Sequence, residues 1–492
     1  MNDKLHDAMN EISDKHLSEA ETYQKRRFRY WIDAAAALLA LLIILAAAFG
    51  GNPAAPGTSN PLLDHTRPTV PLPHGNPLFV NLAAAPVYPK MVQYPELEDF
   101  ANLEDYVAAA KEYSAVQSAQ YDQPDGYADS LKNFFSASIA QFLQGDGNTA
   151  YSPLNVYMAM AMLAETTDGN SRQQILDLFG VNSIEELRTQ AGHVWNAHFS
   201  DDGRTTLLMA NSLWLDHEFP YHQYTADRLA LWYYASTFHG DLGTEALNLQ
   251  LREWLNANTG GLLKEQANKV EFNPNTVFAL ASSIYFSADW IGAFLEENTY
   301  DESFHAPTGD IQAPFMHQTR SDTYYRGTNF GATYLELSGS NRMWLILPDE
   351  GFTTEDILNS DEYLQLTLDP AGWTNKKAYK IHLSLPKFDV AQQQDLIEGM
   401  QELGITDIFN DSISDFSPIS NEAGHYVSQI NHAARVTIDE NGCVATAFTV
   451  IITDSKGPHV DEEIHFTLDR PFLFLVTSRD HLPLFAGIVK QP

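Results

Sequence analysis

The residues best suited to chemistry in this sequence are a single cysteine, Cys443, seventeen histidines and two pairs of adjacent carboxylates. The carboxylate pairs are Asp439-Glu440 and Glu462-Glu463. General acid–base catalysis needs such groups to face one substrate, but neighbouring residues of a strand point to opposite faces of the sheet. The carboxylate pairs are therefore poor candidates for an acid–base site.

The histidines and the cysteine lack the neighbours that metal binding or catalysis requires. The closest histidines are His217 with His222 and His459 with His465. Neither pair has a third ligand beside it, so we expect no metal site. Cys443 lies in an apolar run, and the sequence has no phosphate loop, zinc-protease motif or nucleophile elbow. We therefore expect no cofactor and no enzyme activity, with an enzyme that uses Cys443 as a third hypothesis.

Residues 443–453 have a different potential, because all eleven are uncharged and many favour a β-strand. In an extended strand, one face would carry only small or medium-sized side chains, namely Cys443, Ala445, Ala447, Thr449, Ile451 and Thr453. Such a face suits a strand that must enter an existing sheet without overpacking it. The simpler interpretation is an ordinary buried strand that ends in the turn at residues 454–458.

The elements that would position this stretch are helices first and strands later. Helical patterns cover residues 127–143 and 152–165, and the second begins with a serine cap and Pro153 in its first turn. Strand-like runs follow at residues 277–286, 343–347, 380–385 and 472–477. This order has no βαβ rhythm and no internal repeat, so it predicts an α+β fold.

The N-terminal part of the chain has the pattern of a membrane anchor. A basic cluster at residues 25–29 precedes an apolar run, residues 31–49, that is just long enough to cross a bilayer. We therefore predict a cytoplasmic leader at residues 1–28 and a transmembrane helix or signal anchor at 29–50. The protein would then be a single-pass protein of the cell membrane with an extracellular C-terminal domain. The alternative is a cleaved signal peptide, which would make it secreted.

Residues 51–126 are expected to form a proline-rich spacer and an N-terminal stalk. Ten of the 24 prolines lie between residues 51 and 100, where they favour an extended and semi-rigid chain. A helical pattern then runs from Pro95 to about Gln120. The remaining residues, 127–492, have the organisation of one domain.

The charge of the chain excludes one class of partner. Its 492 residues include 64 acidic and 29 basic side chains, which gives a formal net charge of −35. A polyphosphate partner needs a basic surface, so we expect no binding of nucleic acid. Molecules of such high like charge repel one another, and we expect a monomer.

Several phrases within residues 127–492 together resemble the serpin family of protease inhibitors. The phrases include Tyr151-Ser152-Pro153-Leu154, Pro314-Phe315-Met316-His317-Gln318, Val436-Thr437-Ile438-Asp439-Glu440-Asn441-Gly442, Asp469-Arg470-Pro471-Phe472 and Pro483-Leu484-Phe485-Ala486-Gly487. Residues 249–264 and 277–290 also resemble family segments. Each phrase alone is weak, but their order and spacing along the chain are specific.

The resemblance implies a metastable serpin fold, in which helices surround a large mixed sheet and a reactive loop is exposed. It also implies an inhibitor of serine proteases rather than an enzyme. In such inhibitors the protease cleaves the loop and is held as an acyl-enzyme, while the freed loop inserts into the sheet as a new strand. The alternative is a non-inhibitory module for binding or adhesion, whose loop is a plain substrate.

The resemblance also assigns roles to residues of this sequence. The hinge of the loop would comprise Glu440, Gly442, Cys443, Ala445, Thr446 and Ala447. The shutter and the breach, which control sheet opening, would include Ser152, Ser282, Trp290 and His432. The scissile bond would join Lys456 to Gly457, and a lysine there favours a trypsin-like protease. A bond after Ser455 or Thr453 would favour elastase-like targets, and cysteine proteases form a second class of target.

Three residues depart from the family pattern. Cys443 stands where a small hydroxyl residue is usual, Phe448 is bulky, and Ser282 replaces an asparagine of the shutter. Strand alternation places Phe448 on the face opposite the small side chains. We therefore still expect residues 443–453 to be able to enter a sheet.

Overall fold

The structure is a computed structural model, and it describes residues 82–89, 91–261, 263–272, 276–443 and 462–492. All of these residues belong to one compact unit, Thr66–Pro492. They form α-helices and two β-sheets around an extensive hydrophobic core. The arrangement agrees with the α+β class predicted from the order of the sequence patterns.

The helices lie mainly in the first half of the described chain. In chain order they are α1 (Leu103–Tyr121), α2 (Lys132–Phe142), α3 (Pro153–Thr166), α4 (Gly169–Phe179), α5 (Ile184–His198), α6 (Gln223–Trp232), α7 (Glu245–Asn258), α8 (Lys264–Ala267), α9 (Thr354–Leu358), α10 (Glu362–Leu368) and α11 (Ile397–Glu402). Short 3₁₀ helices occupy Leu97–Asp99, Asp129–Leu131, Glu296–Asn298, Ser338–Ser340 and Asp407–Phe409. Helix α3 begins where the Ser152 side chain accepts the N–H of Asn155, and nearly all of its residues are buried.

The strands follow one another through the rest of the chain. They are β1 (Leu82–Ala84), β2 (Thr149–Tyr151), β3 (Ser200–Asp201), β4 (Thr205–Asp216), β5 (Ala235–Gly240), β6 (Phe278–Asp289), β7 (Thr299–Ala306), β8 (Gly309–Arg326), β9 (Phe330–Leu337), β10 (Asn341–Pro348), β11 (Lys376–Pro386), β12 (Phe388–Asp395), β13 (Asn431–Ile438), β14 (Gly442–Cys443), β15 (Glu463–Thr467), β16 (Phe472–Thr477) and β17 (Pro483–Val489).

One sheet has the order β1-β5-β4-β6-β14-β13-β12, with β3 added beside β4, and we call it the main sheet. It is mixed, because β4 is parallel to β5 but antiparallel to β6. Strands β4 and β6 pair along their length, from Thr205 opposite Ala288 to Leu215 opposite Phe278. Strands β12 and β13 pair in the same way on the far side.

The second sheet has the order β15-β11-β8-β9-β10-β16-β17-β2, with β7 added beside β8. Its strands β16 and β17 are buried at every position. Strands covered on both faces have continuous apolar sequences rather than alternating ones, and this explains their composition. Together with α3 they form the centre of the hydrophobic core.

The predicted elements are found in the structure with small shifts of their ends. The helical pattern at residues 152–165 is α3, and the pattern from Pro95 to about Gln120 contains α1. The strand-like runs correspond to β6, β10, β11 and β16. The pattern at residues 127–143 divides into a 3₁₀ turn and α2. Periodicity and capping residues were sufficient signals for these elements.

The prediction of a single-pass protein of the cell membrane is wrong for the chain as the structure describes it. Among the described residues, no helix is both long and apolar enough to cross a bilayer. Helix α1 has 19 residues, but it carries charged side chains such as Glu104, Asp105 and Lys111, which are costly in hydrocarbon. The apolar run at residues 31–49 lies outside the described residues.

Replacement of Gly487 by alanine should destabilise the core. A Cβ atom at Gly487 would lie 2.4 Å from the Phe474 ring and 2.6 Å from the carbonyl oxygen of Thr149. Such overpacking between β16 and β2 should lower the free energy of unfolding by about 2 kcal/mol, measured as a lower midpoint of thermal unfolding. Gly147→Ala is the matched control, because its Cβ would meet nothing within 4 Å. Equal midpoints for the two variants would contradict the packing described for β17.

Candidate functional site

The candidate site begins at β14, a strand of two residues that lies between the long strands β6 and β13. We call this end of the site its mouth. Strand β14 pairs antiparallel with the end of β6 and with the end of β13. Gly442 lies opposite Asp289, while Cys443 lies opposite Ala288 on one side and Ile438 on the other. Among the described residues, the two-residue strand β14 is therefore all that pairs with both β6 and β13.

Beyond Cys443, the facing edges of β6 and β13 have no strand from the described residues between them. Strand β6 uses its other edge for β4, and β13 uses its other edge for β12. A cavity of about 310 Å³ lies in the part of this gap farthest from Cys443, where its lining includes residues 278–284 of β6, residues 431–433 of β13 and Met160 of α3. We call the whole gap between the two edges the slot.

Gly442 and Cys443 fit the mouth of the slot for different reasons. A Cβ atom on Gly442 would lie 2.3 Å from the carbonyl oxygen of Ala288, so no larger residue fits at this position. The Cys443 side chain is only 2% exposed and belongs to the core. Burial raises the pKa of its thiol to about 12, which keeps the thiol protonated and unreactive. The hypothesis of an enzyme that uses Cys443 therefore has no available nucleophile.

Glu440 and Trp290 hold the chain immediately before the mouth. One carboxylate oxygen of Glu440 accepts a hydrogen bond from Lys387 at 2.7 Å, and the other accepts from the Thr299 hydroxyl at 2.9 Å. The indole N–H of Trp290 donates to the carbonyl oxygen of Asp439 at 2.8 Å. Burial opposes ionisation of Glu440, but the hydrogen bonds outweigh it and lower the pKa, so the carboxylate remains charged.

The first turn of α3 connects the two edges of the slot. On the β6 side, the Ser282 hydroxyl donates to the Asn155 side-chain oxygen at 2.6 Å. On the β13 side, the Ser152 N–H donates to Nε2 of His432 at 3.1 Å. The Ser152 hydroxyl also donates to the carbonyl oxygen of Leu484 at 2.6 Å, which ties the turn to β17. One helical turn thus holds both edges in position.

Asn155 is the member of this network that sequence reasoning missed. The family pattern led us to expect an asparagine on β6, where Ser282 stands. In the structure the amide comes from α3 instead, and Ser282 contributes the hydroxyl. The available signal was position, because Asn155 follows Ser152 by three residues and lies in the turn that Ser152 caps.

The structure brings most of the predicted site residues together in two groups. Glu440, Gly442, Cys443 and Trp290 meet at the mouth, and Ser152, Ser282 and His432 meet along the slot. Outside the described residues lie Ala445, Thr446, Ala447, Lys456 and Gly457. Within the described part of the chain, no group of three or more histidine, cysteine or acidic residues could hold a metal ion.

The family model and the similar proteins found by comparison agree on one family. Residues 130–492 match the family described as Serpin (serine protease inhibitor). The chain is 24% identical over 396 residues to an uncharacterized serpin-like protein of Thermococcus kodakarensis, which covers 77% of this chain and 90% of the relative. It is 26% identical over 376 residues to neuroserpin of Mus musculus, which covers 73% of this chain and 90% of that protein.

Solved structures show the same fold. The thermophilic serpin tengpin in its native state superposes with a TM-score of 0.68 at 23% identity, covering 75% of this chain and 95% of tengpin. Thyroxine-binding globulin in complex with thyroxine gives a TM-score of 0.63 at 21% identity, covering 74% of this chain and 98% of the globulin. At these identities the likeness is evidence for the fold alone. It confirms the predicted arrangement of helices around large mixed sheets.

His432 should make the folded protein sensitive to acid. Burial lowers the pKa of this histidine from its usual 6.5 to about 4, so the unfolded chain binds a proton that the folded chain does not. As the pH falls from about 6.5 to 4, the free energy of unfolding should therefore decrease by about 1.4 kcal/mol per pH unit from this group, and the decrease should stop below the folded pKa.

The contribution of His432 can be isolated with a neutral replacement. His432→Gln retains an acceptor for the Ser152 N–H but does not titrate, so its thermal unfolding midpoint should depend less steeply on pH than that of the unsubstituted protein. Asn431→Gln, a neutral change at an exposed position of the same strand, serves as the control and should keep the original slope. Parallel curves for all three proteins would show that His432 is not buried in its neutral form.

Proposed function

Because the chain belongs to the serpin family, we propose that it inhibits serine proteases as a suicide substrate, by loop cleavage, acyl-enzyme trapping and strand insertion. The inhibitory domain would comprise residues 127–492, after the spacer and stalk at residues 51–126. The observation that supports this function best is the slot, whose mouth already contains Gly442 and Cys443 as a two-residue strand. The mechanism requires a sheet that can accept one more strand beside a segment with a suitable pattern, and the described residues leave one strand position between β6 and β13 unfilled beyond Cys443.

The register of β14 indicates where an inserted segment would lie. If the register continues one residue at a time, Val444 would lie opposite Ser287 on β6 and opposite Thr437 on β13. The same register would end with Thr453 opposite Phe278, the first residue of β6. Insertion would thus add ten residues, which span ~33 Å at ~3.3 Å per residue.

Strand alternation then decides which side chains would face the core. Cys443 is buried, as are its neighbours across the sheet, Ala288 and Ile438. Ala445 and Ala447 would follow Cys443 on this side, where small side chains avoid overpacking. The bulky Phe448 would point to the opposite face of the main sheet. The small residues would therefore occupy the face on which space is limited.

The proposed chemistry is that of an interrupted peptide hydrolysis. The catalytic serine of the protease would attack the carbonyl carbon of Lys456, release the amine of Gly457 and remain joined to the inhibitor as an ester. Insertion of the freed segment would then carry the attached protease along the main sheet before water completes deacylation. Lys456 would suit the acidic specificity pocket of a trypsin-like protease, whereas cleavage after Ser455 or Thr453 would suit elastase-like proteases. A cysteine protease would form the corresponding thioester.

A non-inhibitory module for binding or adhesion is the second candidate function. One observation favours it, namely Cys443 at the hinge, where the family pattern has a small hydroxyl residue. In such a module the loop would be cleaved as an ordinary substrate. The two functions therefore differ in the fate of the loop and of the protease after cleavage.

Incubation of the full chain with trypsin, subtilisin and elastase separates the two functions. The inhibitor should form a covalent complex that survives SDS, and the cleaved chain should unfold at a higher temperature than the intact one because a strand has been added. Mass spectrometry of the released C-terminal peptide should place the cleavage after Lys456. Cleavage without either a stable complex or stabilisation would support the non-inhibitory module.

A pair of neighbouring arginine substitutions tests the predicted alternation. Ala447→Arg would place a charge on the core-facing side of the inserting strand, so we expect the yield of covalent complex to fall at least about tenfold while cleavage continues. Thr446→Arg adds the same charge one residue earlier on the opposite face, and it should retain most of the complex. The measurement is the stoichiometry of inhibition for each variant. Similar losses in both variants would contradict the proposed register.

A further inference from the structure

Residues 82–121 precede the proposed inhibitory domain, but they are built into it. Strand β1 pairs antiparallel with β5, which would otherwise be the edge of the main sheet. The Tyr88 ring packs against Trp195, Phe199 and Tyr234, with ring centroids between 5.6 and 6.0 Å away. The Tyr88 hydroxyl also donates to the carbonyl oxygen of Tyr234 at 3.3 Å. We call residues 82–121 the N-terminal segment.

The N-terminal segment holds the turn between β3 and β4. The backbone N–H of Tyr94 donates to the carbonyl oxygen of Asp202 at 2.7 Å, and the Tyr113 hydroxyl on α1 donates to the Asp202 carboxylate at 2.6 Å. The same carboxylate accepts the backbone N–H of Arg204 at 3.0 Å. The backbone position of Arg204 therefore depends on contacts made by the N-terminal segment.

The side chain of Arg204 connects this segment with the mouth of the slot. Its guanidinium lies 4.6 Å from the centroid of the Tyr94 ring, and its Nε lies 4.0 Å from the Glu96 carboxylate. The same Nε lies 4.0 Å from the carboxylate of Asp289. Asp289 is the last residue of β6 and lies opposite Gly442. Each of these three contacts is weak by itself, but all of them involve the guanidinium group of Arg204.

We propose that the N-terminal segment controls the position of the hinge through Arg204, which acts as a positioning residue. Tyr94 and Glu96 hold Arg204 beside Asp289, and Asp289 in turn fixes the end of β6 against which Gly442 and Cys443 pair. When Arg204 is released, this end of β6 becomes less restrained, and Cys443 leaves the main sheet more often. The inference concerns the hinge of the proposed inhibitor, but it requires neither loop cleavage nor protease binding.

Cys443 supplies a direct measurement, because it is the only cysteine in the chain and is buried at the mouth. A maleimide reacts with this thiol only when the hinge has left the sheet, so the labelling rate of the full chain under native conditions reports hinge opening. Arg204→Gln and Tyr94→Ala should each raise this rate about fivefold, the factor expected for the loss of weak contacts. Inhibition assays do not enter the result, so failure of the inhibitor hypothesis would be seen separately.

Three controls decide whether the effect belongs to the proposed connection. Tyr94→Phe keeps the ring that faces Arg204, and Glu98→Gln removes an acid of the same segment that is not part of the contact, so both should label at the original rate. Gly487→Ala weakens the core within the second sheet, where Gly487 packs against Phe474 and Thr149, and it should raise the rate less than Arg204→Gln. Unchanged labelling in Arg204→Gln and Tyr94→Ala would overturn the proposal. An equal increase in Gly487→Ala would also overturn it, because global unfolding would then explain the result.

Discussion

Backbone hydrogen bonding is the constraint on which the rest of this structure depends. Buried N–H and C=O groups require partners, yet β6 and β13 face each other beyond Cys443 without a strand of the described chain between them. A further strand would supply hydrogen bonds on both edges, each worth about 1 kcal/mol net before side-chain packing is counted. Under the proposed function, insertion of residues 444–453 would form these bonds. The protein before insertion would then be kept from its more stable state by a kinetic barrier.

Two sets of contacts would contribute to such a barrier, and they act at different places. At the mouth, the charged Glu440 is bound by Lys387 and Thr299. Along the slot, the first turn of α3 binds β6 through Asn155 and β13 through Ser152. Widening of the slot would strain both sets together. The polar network also explains why His432 must remain neutral, since its Nε2 is the acceptor that links β13 to α3.

The sequence was sufficient to predict those helices and strands whose formation depends on a short stretch of residues. Continuous apolar residues identified β16, and the serine and proline at residues 152 and 153 identified the start of α3. The small side chains after Gly442, together with the family resemblance, predicted a hinge, and its role stays a prediction. The position of Asn155 in the turn that Ser152 caps was a local signal, but its partner Ser282 is 127 positions away in the chain and could not be identified from a local pattern. The pairing of β1 with β5 was also hidden, since a strand of three residues is too short to show alternation.

The slot also has a consequence for how molecules of this protein meet one another. If the slot accepts residues 444–453 of its own chain, as proposed, its edges offer the same hydrogen bonds to the identical residues of a second molecule. The two segments differ only in their concentration at the slot. The chain's own segment is attached at Cys443, which would keep its effective concentration on the order of millimolar. A low protein concentration would therefore favour insertion within one molecule. At high concentration, insertion between molecules would link them into chains.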